Sequence, residues 1–125
     1  MELNVGDVLY LRNSEITPAK NKYSACVHIK PHYFLLINTK NREMYECLPI
    51  SQKDNKFLEY DSFISCANYY IYNDDDIRGE KPVGHLGYKD LNALYFHIKH
   101  NVKGLTSKIK NEILQSLKDA LDDYR

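Results

Sequence analysis

Lys30, His32, Ser51 and Lys53 are the side chains of this 125-residue chain whose types and spacing best suit work on a phosphate. Metal-free cleavage of an RNA phosphodiester needs a base near the 2′-hydroxyl, cationic or hydrogen-bonding stabilisation of the phosphorane, and an acid for the 5′-oxygen. A lysine can hold phosphate as a point charge, and with a neighbouring cation lowering its pKa it can also act as base. Ser51 offers a hydroxyl to a non-bridging oxygen. His28 or His32, with an ordinary pKa near 6.5, can move a proton near neutral pH.

The elements that must position these groups read as strand, turn, strand. Tyr33–Asn38 is an apolar run, Thr39–Arg42 is polar, and Glu43–Leu48 resumes with strand-forming residues. A two-residue loop at Lys40–Asn41, or a four-residue loop from Thr39 to Arg42, sets Lys30 opposite Ser51. Directly opposed residues of an antiparallel pair have Cβ atoms about 4.5–5.5 Å apart. An odd-length loop shifts the pairing by one and moves His32 or Ile29 toward Ser51.

Net charge is zero, but its distribution is uneven. Residues 20–56 carry seven Lys/Arg (Lys20, Lys22, Lys30, Lys40, Arg42, Lys53, Lys56) against three acids, whereas residues 57–80 carry six acids against Arg78 alone. Such separation gives a neutral molecule one face that attracts polyanions. Lys20, Lys22, Lys56 and His28 are therefore candidate RNA contacts. Tyr23 joins them, because several of the eleven tyrosines, including Tyr33, Tyr45, Tyr69, Tyr70 and Tyr72, could stack unpaired bases. The competing use of these tyrosines is in the core and rim of a small sheet.

Other chemistries fit less well. Cys26, Cys47 and His28 lack Cys-x-x-Cys or His-x₃₋₅-His spacing, so no metal is expected. The three cysteines are odd in number and set among apolar neighbours, which reads as reduced, partly buried thiols. A thiol nucleophile such as Cys47 with His32 lacks an evident third orienting group. Gly84-His-Leu-Gly87 has no following Lys-Ser/Thr, so it is not a phosphate-cradling loop. The chain contains no apolar run long enough for a membrane span, and its start lacks the regions of a signal peptide, so a cytosolic protein is expected.

Along the chain, Gly6-Asp7 feeds a first strand at Val8–Leu11, the segment from Arg12 to Lys22 reads as a loop, and Tyr23–Ile29 reads as extended. Ser62–Tyr72 reads as one strand, or as two joined by a bend, ended by Asn73–Asp76. From Ile77 to Gly87 the glycines and proline indicate a loop. Leu91, Leu94, Tyr95, Ile98 and Val102 then follow helical spacing, with Gly104 as the expected stop. Thr106 is a suitable N-cap for a second helix with the stripe Ile109, Ile113, Leu117, Ala120, Leu121 and Tyr124. Strands followed by helices define an α+β class within a single domain spanning residues 1–125.

These motifs resemble the small toxin endoribonucleases of toxin–antitoxin systems. Gly6-Asp7-Val8 opening the first strand, Lys30-Pro31 before an apolar strand, and Leu48-Pro-Ile-Ser51-Gln-Lys53 closing the next are similar to MazF and PemK (Kid) toxins. Lys30 and Ser51-Gln-Lys53 fit the ToxN, CptN and TenpN group, whose antitoxin is an RNA, better than they fit MazF, where an arginine stands in place of Lys30. The resemblance implies a small SH3-like, mostly antiparallel β-barrel over residues 1–76, with two C-terminal helices over 88–124. It further implies cofactor-free RNA cleavage to a 2′,3′-cyclic phosphate, with Lys30 as the basic catalytic residue, Ser51 contacting phosphate, and Lys53 and His32 assisting. The partners implied are an RNA substrate and an RNA antitoxin, alternatively a small protein antitoxin. A homo-oligomer or RNA-bridged assembly is compatible with this reading.

Overall fold

Runs of apolar residues buried on both faces, Tyr33–Ile37 of the third strand above all, build the sheet. The computed structural model describes residues 3–124, with strands β1 (Asp7–Asn13), β2 (Lys20–His28), β3 (Tyr33–Asn38), β4 (Leu48–Ile50), β5 (Ser62–Ile64) and β6 (Gly84–His85). The helices are a single turn, α1 (Asp74–Ile77), and two long ones, α2 (Tyr88–Asn101) and α3 (Ser107–Asp122). The strands form one curled antiparallel sheet in the order β4-β5-β3-β2-β1-β6. The α+β class and the closing helices thus stand as expected.

Val8, Ala25, Val27, Leu35 and Ile37 form a buried core with Leu91, Leu94 and Ile98 of α2 and Ile109, Ile113 and Leu117 of α3. Leu9, Leu11, Cys26, Phe34 and Tyr72 form a second buried cluster, which the period-two geometry of strands assigns to the opposite face. There Asn13 Nδ2 donates to the Tyr72 hydroxyl at 3.1 Å, and Ser24 Oγ lies 2.9 Å from the same oxygen. Burial first, then electrostatic repulsion by Glu15 and Asp76, outweighs these hydrogen bonds and raises the Tyr72 pKa.

Thr106 caps α3 as its sequence predicts, its hydroxyl accepting the Ile109 N–H at 3.4 Å. Gly104 has a different role from the expected helix stop. Helix α2 ends at Asn101, and a Cβ at Gly104 would lie 2.7 Å from the Ala67 carbonyl oxygen and 2.9 Å from the Ala67 Cβ. The glycine lets the α2–α3 turn touch the chain beyond β5.

The expected hairpin between residues 33–38 and 43–48 does not form. Glu43–Tyr45 is a short 3-10 turn, and β5 lies between β3 and β4, pairing Ile37 with Ile64 on one side and Leu48 with Ile64 on the other. Local strand propensity loses here to tertiary hydrogen bonds. The Tyr45 carbonyl accepts the N–H groups of Cys66 and Ala67 at 2.9 and 3.0 Å, and the Glu46 carboxylate accepts those of Lys103 and Gly104. Glu46 holds a left-handed backbone, φ 50° and ψ 56°, to do so. The segment from Ser62 to Tyr72 is β5 followed by a bend and a single bridge from Tyr70 to Phe34.

Candidate nucleic-acid interface

The predicted catalytic residues divide between the two ends of the sheet. Lys30 lies in the turn between His28 and Tyr33, at the start of β3. Ser51 follows Ile50, which pairs with Ser62 one step beyond the level of Asn38, at the end of β3. At about 3.3 Å per residue, the length of β3 separates the two levels by about 20 Å. The opposed Lys30–Ser51 pair is therefore corrected: β5 occupies the place that the hairpin register gave to β4.

Local contacts describe each residue further. The Ser51 hydroxyl accepts the Asp54 N–H at 3.2 Å, and the Gln52 N–H donates to Asp61 at 2.8 Å, so Ser51 caps a turn beside two carboxylates. Lys53 and Lys56 are exposed on the loop that follows. The Asp54 carboxyl is held below its ordinary value by the Ser51 hydrogen bond, then by Lys89 and Lys53. His32 is half-buried, its ring 6.4 Å from that of Phe34.

His28, expected at an RNA surface, instead ties the sheet to α3. Its Nε2–H donates to the Lys30 carbonyl at 3.2 Å, which leaves Nδ1 to accept from the Ser116 hydroxyl at 2.5 Å. The ring stacks on Tyr33, whose hydroxyl donates to Glu112 at 3.1 Å. Tyr23 packs on Tyr10 and Phe57, and its hydroxyl donates to the Phe57 carbonyl at 3.3 Å.

Lys20 and Lys22 do converge on a site. They line a groove of about 550 Å³ together with Lys40 and Arg42 from the loop after β3, Asn38 and Leu36 of β3, Tyr45, Ser65, Asn68 and Tyr70. The β1–β2 loop closes one side with Glu15, Ile16 and Thr17. Four cations against Glu15 give the lining a formal charge of +3. A concavity between α2 and α3 has Lys118 against Asp122, and a third has Asp119 and Asp123 with no Lys or Arg. Of the three, the groove is the one that suits a polyanion.

The groove floor is a hydrogen-bonded relay. Continuing the β2–β3 register past Tyr23 and Ile37 sets Lys22 opposite Asn38, and Lys22 Nζ donates to Asn38 Oδ1. Asn38 Nδ2 donates to Ser65 Oγ at 2.6 Å, and Cys47 Sγ lies 3.8 Å from that oxygen. Burial and then the Lys20 cation lower the Lys22 pKa, which enlarges its neutral, proton-accepting fraction. Burial and then the carboxylate of Glu15 raise the Tyr70 pKa, so its phenol keeps its proton.

Two of the residues lining this groove, Lys20 and Lys22, are among the candidate RNA contacts that charge alone suggested. Lys40, Arg42, Tyr45 and Tyr70 belonged to the basic segment and the stacking tyrosines without a position. Asn38, Ser65 and Asn68 carried no signal: the β2–β3 pairing sets Asn38 opposite Lys22, and only the non-local pairing of β3 with β5 adds Ser65 and Asn68. The Cys26 thiol is buried and pushed up to about 12, Cys66 is buried and pushed up as well, and all three cysteines are free.

Among the described residues, no helix is long and apolar enough to cross a membrane, and no three His, Cys, Asp or Glu side chains cluster in a way that could hold a metal ion. No family model and no curated protein matches the chain.

Proposed function

We propose that the groove binds single-stranded RNA and cleaves it by metal-free transesterification, as a toxin endoribonuclease. The supporting observation is the gathering of Lys20, Lys22, Lys40 and Arg42 around one concavity whose lining also includes Tyr45 and Tyr70. Cations hold a phosphate backbone without regard to sequence, and tyrosine faces stack unpaired bases.

In this reading the neutral Lys22 amine takes the proton of the 2′-hydroxyl, and the 2′-oxygen attacks the adjacent phosphorus. Lys20, Lys40 and Arg42 stabilise the phosphorane. The bond from phosphorus to the 5′-oxygen breaks, and the Tyr70 phenol gives that oxygen its proton. The products are a 2′,3′-cyclic phosphate and a 5′-hydroxyl. An RNA antitoxin filling the same groove would silence the enzyme, and a small protein antitoxin is the alternative partner.

A second reading is a noncatalytic RNA-binding module. The separation of Lys30 from Ser51 favours it, because the residues that the toxin resemblance assigns to catalysis do not meet. Labelled single-stranded RNA incubated with the protein in EDTA distinguishes the two. Cyclic-phosphate ends that vanish in Lys22→Ala support the enzyme, binding without cleavage supports the module, and absence of both overturns the RNA reading.

A further inference from the structure

Asn68 lies on a stretch of backbone fixed at both sides. Before it, the Ala67 N–H donates to the Tyr45 carbonyl at 3.0 Å; after it, Tyr70 exchanges both backbone hydrogen bonds with Phe34 at 2.9 Å. Tyr45, Asn68 and Tyr70 are thus held in a set relation, and all three line the groove.

Their side chains are uncommitted in a way that their neighbours' are not. The Asn38 amide is spent on Lys22 and Ser65. Asn68 is exposed, and its amide makes no hydrogen bond to any described residue; neither Tyr45 nor Tyr70 stacks on another ring among them. A rigid aromatic face beside an unpaired carboxamide matches what an unstacked base presents. The base supplies a flat face to the ring and a paired donor and acceptor to the amide. Asparagine pairs in a bidentate manner with adenine, accepting from N6–H and donating to a ring nitrogen.

We infer that Asn68, flanked by Tyr45 and Tyr70, is a specificity-determining residue that selects adenine in single-stranded RNA. This rests on the reading of the groove as an RNA site and adds to it the base selected. The cations hold phosphates of any sequence, and Asn68 supplies the discrimination.

The test is equilibrium binding of the full chain to the 2′-O-methyl octamers A8, U8 and C8, which lack the attacking hydroxyl, at one fixed salt concentration. The expected result is preference for A8 by about tenfold or more. Asn68→Ala weakens A8 more than U8 or C8 and so reduces that preference to within about twofold, and Tyr45→Ala and Tyr70→Ala weaken all three. Equal binding of the octamers by the unsubstituted protein, or an adenine preference that survives Asn68→Ala, overturns the inference and leaves the RNA groove standing. Failure to bind any octamer removes both the RNA reading and the inference. Circular dichroism melting of each variant confirms the fold, and Asn68 is exposed enough for its removal to leave the core intact.

Discussion

The Glu46 carboxylate accepts the Gly104 N–H at 2.7 Å, joining the loop that carries Arg42 and Tyr45 to the turn between α2 and α3. The same carboxylate takes the Lys103 N–H at 2.8 Å, and the Glu46 carbonyl accepts from His97 Nε2 at 2.8 Å. The carboxylate bonds satisfy backbone N–H groups of the turn that follows α2, and the carbonyl holds a side chain of α2 itself. Glu46→Ala should cost about 1.5–2 kcal/mol, the lower part of the range for hydrogen bonds to a charged group, because the site is partly solvated. Gly104→Ala should cost about 1–3 kcal/mol through overlap with Ala67. Urea unfolding of both variants and of the double variant checks the pair. Simple additivity would show that the two positions are not coupled.

The groove cations should set the salt dependence of RNA binding. Replacing Lys20, Lys40 or Arg42 with alanine is expected to weaken binding of every sequence and to reduce the slope of log K against log salt by about 0.7 for each phosphate left without its cation. Lys30→Ala and Lys53→Ala, outside the groove, should leave slope and affinity within about twofold. A titration over several salt concentrations measures this, and an unchanged slope in all three groove variants would place the RNA elsewhere.

The low Lys22 pKa gives cleavage a signature in pH. Burial, then the Lys20 charge, disfavours the ammonium, so the activity that requires a neutral Lys22 should rise with pH along a profile whose midpoint is below the ordinary lysine value. Removing the neighbouring cation in Lys20→Ala raises the Lys22 pKa. That profile should shift to higher pH and the rate at neutral pH should fall. A shift in the opposite direction would exclude Lys22 as the base.

Alkaline stability follows from the buried acids. The Cys26 and Cys66 thiols are raised from 9.0 by burial, and burial also raises Tyr33, Tyr70 and Tyr72 from 10.0. Between the unfolded and folded pKa values the folded chain keeps protons that the unfolded chain releases, so stability falls as pH rises. Urea midpoints should hold up to about pH 8.5 and decline above it, each thiol contributing a slope of at most about 1.4 kcal/mol per pH unit. Cys66→Ala should be less stable at pH 7 and show a shallower decline from about pH 9 to 10.

Local patterns carried much of the fold. The 3.6-residue spacing of Leu91, Leu94 and Ile98, and of Ile109, Ile113 and Leu117, marks α2 and α3, and short runs of strand-forming residues, Val8–Leu11 after the Gly6-Asp7 turn and Tyr23–Ile29, mark β1 and β2. The Thr106 cap is a three-residue signal. What differs is the segment from Glu43 to Cys47, whose strand-forming residues have no strand partner because Tyr45 and Glu46 serve distant backbone donors. Register counted through a turn is valid only if the two strands are neighbours. Once β5 enters between them, every opposed pair in that count disappears, Lys30 with Ser51 included. The groove was legible as a concentration of charge and not as a place, since Asn38, Ser65 and Asn68 meet only through pairing across more than twenty residues.

The sheet ends in two very short strands, Leu48-Pro49-Ile50 on one side and Gly84-His85 on the other. Pro49 offers no N–H, and two residues of β6 expose little of the hydrogen-bonding row that an incoming strand requires. Strands β2 and β3 are interior to the order, β2 between β1 and β3, and β3 meeting β5 at Ile37 and Asn38 and Tyr70 at Phe34. An added strand at either end of the order therefore finds at most three residues of backbone to pair with, which disfavours growth of the sheet from β4 or β6.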